Sequence, residues 1–145
     1  MNVFDEKVAA LEAFEKNQDQ IVMSIAKDFE AIIMDMNTFQ LSEKGINSEG
    51  VEIASYQPYT TNTKRIKRSK GQPTDRVTLL DTEDFHNSWF IVFINDYFAL
   101  GSDDPKALKL ERKYGPEIYG LISENLQILI DLIRPELIQK LKAIL

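Results

Sequence analysis

The chain has 145 residues, 43% of them hydrophobic and 28% charged, with a net charge of −6. It is thus one domain-sized unit, long enough to bury a core, and its surface as a whole does not seek nucleic acid or an anionic membrane. The absence of cysteine excludes disulfides, thiol nucleophiles and cysteine-ligated metals, and the single histidine excludes a multi-histidine metal site.

Residues 3 to about 36 form one long expected helix within an N-terminal region 1–38. Phe4, Val8, Leu11, Val22, Ile25, Phe29, Ile32 and Met36 recur at spacings of three and four, the pattern of a core-facing stripe. Glu15 and Gln18 interrupt the stripe, and Phe14 and Ile21 take it over slightly rotated. The start of the chain is charged from Asp5 and has no continuous apolar run, so no secretory leader is expected. Region 40–76 changes character. "QLSEKGINSEG" reads as a loop, and "VEIASY" alternates, which predicts a strand from Val51 to Tyr56. Residues 57–74, threonine-rich and basic around Pro58 and Pro73, predict a polar excursion with one helical turn near Lys64 to Lys70. Its composition buries little apolar surface, so it is expected to order only against a partner.

In region 77–101, "RVTLL" predicts one strand and "WFIVFIN" a stronger one. Asn95-Asp96 supplies a tight hairpin turn into "YFALG". Apolar residues at every position from Trp89 to Ile94 imply a strand covered on both faces. In region 102–145, "SDDPKALKLERKYG" predicts a short helix starting at Asp104-Pro105 and stopping at Gly115. A second long helix follows, with Pro135 expected to kink or divide it. Ile128, Ile130 and Leu132 lie off its main stripe, implying deep burial or cover by another subunit. Its run "LQILIDLI" is too short to span a bilayer. The expected fold is α+β, with two long terminal helices packed on a small antiparallel sheet of three or four strands.

Candidate chemistry is sparse. "DTEDFHNSWF", residues 81–90, places His86 between Asp84 and Ser88, which are triad residue types. Triad members usually come from separate segments, so the decapeptide reads instead as a packing turn, with Asp81 or Thr82 capping it and Phe85 plugging the core. Asp103-Asp104 beside Pro105 reads as a helix cap rather than a metal ligand pair. Gly45, Gly50 and Gly71 open no phosphate loop. No catalytic, cofactor-binding or metal-binding residue is assigned. The one sharp electrostatic feature is "KRIKRSK", where Lys64, Arg65, Lys67, Arg68 and Lys70 gather five of the 17 positive charges. It suits a solvated loop or contact with an acidic patch on a neighbouring subunit or, as the rival reading, contact with phosphates. Tyr56 and Tyr59 are too few for a base-stacking platform.

The order of these parts resembles small bacteriophage head-tail connector and tail-completion proteins, of the minor-capsid or virion-morphogenesis families. Those families carry a pattern like L-x-D-T-G-x-L-x-x-S between the excursion and the hairpin, and Leu79, Asp81, Thr82, Phe85 and Ser88 hold the corresponding places. Glu83 stands where the family has glycine, which implies a different turn. The resemblance implies a ring-forming virion protein, made in the host cytoplasm. Its partners would be copies of itself, other head, neck and tail proteins, and DNA in a channel, with no membrane contact. The alternative is a nucleic-acid-binding adaptor using residues 64–70.

Overall fold

The computed structural model describes residues 2–80 and 84–145. Among these the fold is α+β: helices α1 (Val3–Lys16), α2 (Gln18–Lys27), α3 (Glu30–Phe39), α4 (Thr61–Ser69), α5 (Asp84–Asn87), α6 (Ala107–Tyr114) and α7 (Ser123–Lys142), with strands β1 (Trp89–Ile94) and β2 (Tyr97–Ser102).

The expected single N-terminal helix is three helices in succession. Asn2 caps α1, its Oδ1 accepting from the Asp5 backbone N at 2.8 Å. The first break falls at Asn17, whose Nδ2 donates to the Ala13 carbonyl at 2.8 Å while its backbone leaves helical geometry. A short polar side chain that bonds nearby backbone offers the chain an alternative to the helix ladder. The second break is at Phe29, with φ −103° and ψ 18°. Past α3 the chain continues into a π-turn, Gln40–Lys44, rather than a loop. Gly45 ends it at φ 62°, where an added Cβ would sit 2.7 Å from the Arg76 Cβ.

The sheet is a single hairpin, not three or four strands. β1 and β2 pair antiparallel from Trp89↔Ser102 to Ile94↔Tyr97, and Asn95 makes the turn at φ 47°. Two expected strands are absent among the described residues. At Val51 to Tyr56 only Glu52 makes a bridge, to Ile46, and Ile53–Ser55 closes into a 3-10 turn that buries Ile53. Residues 76–80 run through the core without a ladder partner, and Leu79 adopts φ 55°. Side chains replace the ladder there. The Tyr59 hydroxyl accepts from Thr78 N at 3.0 Å, His86 Nε2 meets Thr78 O at 3.1 Å, and Lys67 Nζ donates to Leu80 O at 2.7 Å. Buried backbone must be paired by something, and here polar side chains do it.

Two apolar clusters result. The first gathers Leu41, Ile53, Val77, Phe85, Tyr114 and Ile118 beneath Tyr59 and Trp89. The second gathers Ile25, Ile33, Leu121, Leu129 and Ile133 against the inner hairpin face, Ile91, Phe93, Phe98 and Leu100. Full burial of each large aliphatic side chain contributes about 1.5–3 kcal/mol. Between the clusters two fully buried amides bind the segment that leads into α7. Asn37 donates to Ile118 O at 3.0 Å and accepts from Gly120 N. Gln40 donates to Gly120 O at 2.9 Å and accepts from Ile122 N at 3.0 Å and from Asn125 Nδ2 at 2.7 Å. Helix α7 runs through Pro135 without ending there, so of the two outcomes expected, a kink or a division into two helices, the division does not occur.

Candidate assembly surfaces and a lysine-lined cleft

The basic run, expected to hold one helical turn and to lack an anchor of its own, is a nine-residue helix tied to the core. Thr60 caps it, Oγ1 accepting from Thr63 N at 3.1 Å. Lys67 anchors it: the side chain is buried, its ammonium lies 5.0 Å from the Tyr59 ring centroid, and it bonds Leu80 O and Gln72 Oε1. The long apolar stem of lysine makes such an inward anchor compatible with a hydrophobic surrounding. The five basic residues therefore do not act as one patch. Lys67 faces inward, Arg65 and Arg68 are exposed with Arg65 bonded to Asn62, Lys64 is half-buried, and exposed Lys70 reaches the rim of a cavity.

That cavity, of about 470 Å³, lies between α4 and α6. Its floor is apolar, from Ile66, Leu79, Leu80, Phe85 and Leu110, and its rim carries Lys70, Lys106, Lys109 and Lys113 beside Tyr59 and Tyr114. No carboxylate lines it among the described residues. The α6 lysines were missed in the sequence, although their spacing of three and four on a short helix places them on one face. Tyr114, buried at this cleft, has its pKa pushed up to about 12, first by burial and then by neighbouring Tyr59 and Tyr56. Tyr119 is raised further, by burial and by its 2.7 Å hydrogen bond to the Glu111 carboxylate.

The central decapeptide does structural work wherever it is described; Asp81, Thr82 and Glu83, and the capping and family-motif roles assigned to them, lie outside the described residues. Phe85 is buried and packs edge-on to Trp89 at 5.5 Å between ring centroids. His86 holds Thr78 O, and the Ser88 hydroxyl donates to the Asp84 backbone carbonyl at 2.6 Å. Asp104 caps the approach to α6, Oδ1 accepting from Lys106 N at 2.7 Å. Among the described residues no cluster of three or more potential metal ligands occurs, and no helix is long and apolar enough to cross a membrane.

Among the described residues, apolar side chains of the hairpin, α7 and α1 stand exposed. The hairpin was expected to be covered on both faces, but its outer face presents Phe90, Val92, Ile94 and Tyr97, each between 39% and 52% exposed. Phe90 lies over Gly101, where an added Cβ would meet the ring at 2.7 Å, so the glycine lets that ring lie flat on the sheet. Helix α7 exposes Leu126 and Ile130 on one side and Ile128 on the opposite side, and α1 exposes Val3, Phe4 and Val8. Comparison with family models, curated proteins and solved structures finds no match to this chain.

Proposed function

We propose that the chain is a homo-oligomeric structural subunit, a ring-forming component at the head-tail junction or tail terminus of a tailed bacteriophage. The reading rests on the resemblance of its parts to connector and tail-completion proteins and on one structural observation: the outer hairpin face. Phe90, Val92, Ile94 and Tyr97 make a contiguous apolar surface on a two-stranded ribbon. The inner face of the ribbon is already packed on the second apolar cluster, and an apolar patch left on its outer face is of the kind that marks an interface. Copies of one chain that join through two different patches form rings when the rotation between neighbours closes. The protein would act in the virion, after synthesis in the host cytoplasm, by positioning neighbours rather than by chemistry.

Mass photometry of the purified protein tests this. A discrete multimer is expected, and Val92→Lys with Ile94→Lys should dissolve it while leaving helix content intact. A monomer at every concentration up to the micromolar range would overturn the reading. The rival, a nucleic-acid adaptor, draws on the clustering of α4 and α6 cations. It predicts salt-dependent binding of generic duplex DNA that is lost on neutralising Lys64, Arg65 and Arg68.

A further inference from the structure

Two surfaces of this chain are complementary and sit far apart. The first is the cleft between α4 and α6, with an apolar floor, Lys106, Lys109 and Lys113 on its rim and, among the described residues, no acidic residue in its lining. The second is α1, which buries none of its residues fully. On α1, Phe4, Val8 and Leu11 recur at i, i+4 and i+7, and Phe4 is 74% exposed. Asp5 and Glu12, seven residues apart and hence on one face, flank this stripe, and both are exposed. An apolar ridge edged with carboxylates matches an apolar trough edged with ammonium groups.

Within one chain the two do not meet. Lys7 donates to the carbonyls of Ile144 and Leu145, which ties α1 to the far end of α7. The near end of α7 is held by Gln40, whose neighbour Leu41 belongs to the cluster that floors the cleft. A helix of 20 residues is about 30 Å long. A second copy of the chain can bring the two surfaces together.

We propose that the lysine-lined cleft of one copy receives α1 of the next. Phe4 enters the apolar floor, and Asp5 and Glu12 face Lys109 and Lys113. This rests on the homo-oligomeric reading and gives it a direction, head to tail. The aromatic anchor supplies most of the affinity, and the exposed ion pairs supply partner choice and encounter rate. Lysine suits the rim because its compact charge on a flexible stem needs no fixed bidentate geometry.

Charge reversal in the full-length protein tests the pairing. Lys109→Glu with Lys113→Glu, and separately Asp5→Lys with Glu12→Lys, should each raise the midpoint concentration for assembly at least tenfold in mass photometry. All four side chains are exposed, so circular dichroism should show both variants folded. Mixed in equal amounts, the two variants should assemble again, because each cleft then finds an oppositely charged helix. The mixed rings should hold only even numbers of subunits. Assembly of either double variant at the wild-type concentration would overturn the proposal, as would failure of the mixture to recover. If the hairpin variants dissolve the multimer and the cleft variants do not, the homo-oligomeric reading stands and this contact is wrong. If the wild-type chain is monomeric, both fall. Loss of tripolyphosphate or duplex DNA binding in the cleft variants, with assembly unchanged, would assign the cleft to a phosphate ligand and also overturn it.

Discussion

Replacing Gln40 with alanine should destabilise the fold more than any surface change. The carboxamide is fully buried and makes three hydrogen bonds, to Gly120 O, Ile122 N and Asn125 Nδ2. Gln40→Ala leaves Asn125 able to turn to solvent but orphans the Gly120 carbonyl and the buried Ile122 N–H. Each unsatisfied buried group costs about 1–3 kcal/mol. The total, about 2–6 kcal/mol, is a large share of the roughly 5–15 kcal/mol that holds a domain of this size. Gln40→Glu separates polarity from shape. Its carboxylate still accepts from both donors but turns a lone pair toward Gly120 O, and burial raises its pKa above the unfolded value of about 4.3. For a group whose folded pKa is raised, stability is retained below the unfolded pKa and lost as pH rises through the folded one. Gln40→Glu should therefore approach wild-type stability near pH 4 and fall well below it at pH 7. Guanidinium unfolding at fixed protein concentration, followed by fluorescence of Trp89, measures both variants. A Gln40→Ala midpoint within about 1 kcal/mol of wild type would refute the network's role, as would a Gln40→Glu deficit independent of pH.

Lys67→Ala removes the donor to Leu80 O and should cost about 1–3 kcal/mol, whereas exposed Arg68→Ala should stay within about 0.5 kcal/mol; thermal melts distinguish them. Asn95 sits at φ 47°, so Asn95→Gly should be near neutral and Asn95→Val should cost roughly 1–2 kcal/mol by calorimetry. Burial and neighbouring tyrosines raise the Tyr114 pKa to about 12, so its contribution is intact below the unfolded value of about 10 and is lost as pH rises through about 12. Tyr114→Phe should flatten the alkaline fall in melting temperature between those limits.

Local rules made some of this fold legible. Asn95-Asp96 is the hairpin turn because asparagine tolerates positive φ, and Gly115 ends α6 as expected. Glu15 and Gln18, expected only to rotate the stripe within one helix, instead flank the break at Asn17. What stayed hidden depends on contacts between distant residues. "VEIASY" and "RVTLL" carry strand-like patterns, yet the first makes one bridge and then closes into a 3-10 turn that buries Ile53, and the second has the backbone of Thr78 and Leu80 satisfied by Tyr59, His86 and Lys67. Nothing in a run of basic residues says which one turns inward; Lys67 does so because Leu80 O and the Tyr59 ring meet it there. The cleft shows the same limit, since Lys106, Lys109 and Lys113, three of its four rim lysines, lie some 40 residues after the basic run that drew attention. Asn37 and Gln40 look like ordinary helix residues until Ile118 to Ile122 is placed beside them.

Pro135 lies inside α7 and has no N–H to donate, so the turn around it lacks one rung. Beyond it, the last residues of α7 belong mostly to the surface, and their tie to α1 is the Lys7 ammonium on the terminal carbonyls. Leu137 is the last residue packed against the second apolar cluster, so the chain beyond it can open without disturbing either cluster. Amide hydrogens of α1 and of residues 138–145 should therefore exchange with solvent far sooner than those of α3 or the first half of α7. The molecule carries a firm body and a loosely latched end, and a neighbour that grips α1 would slow exchange there at little expense to the rest.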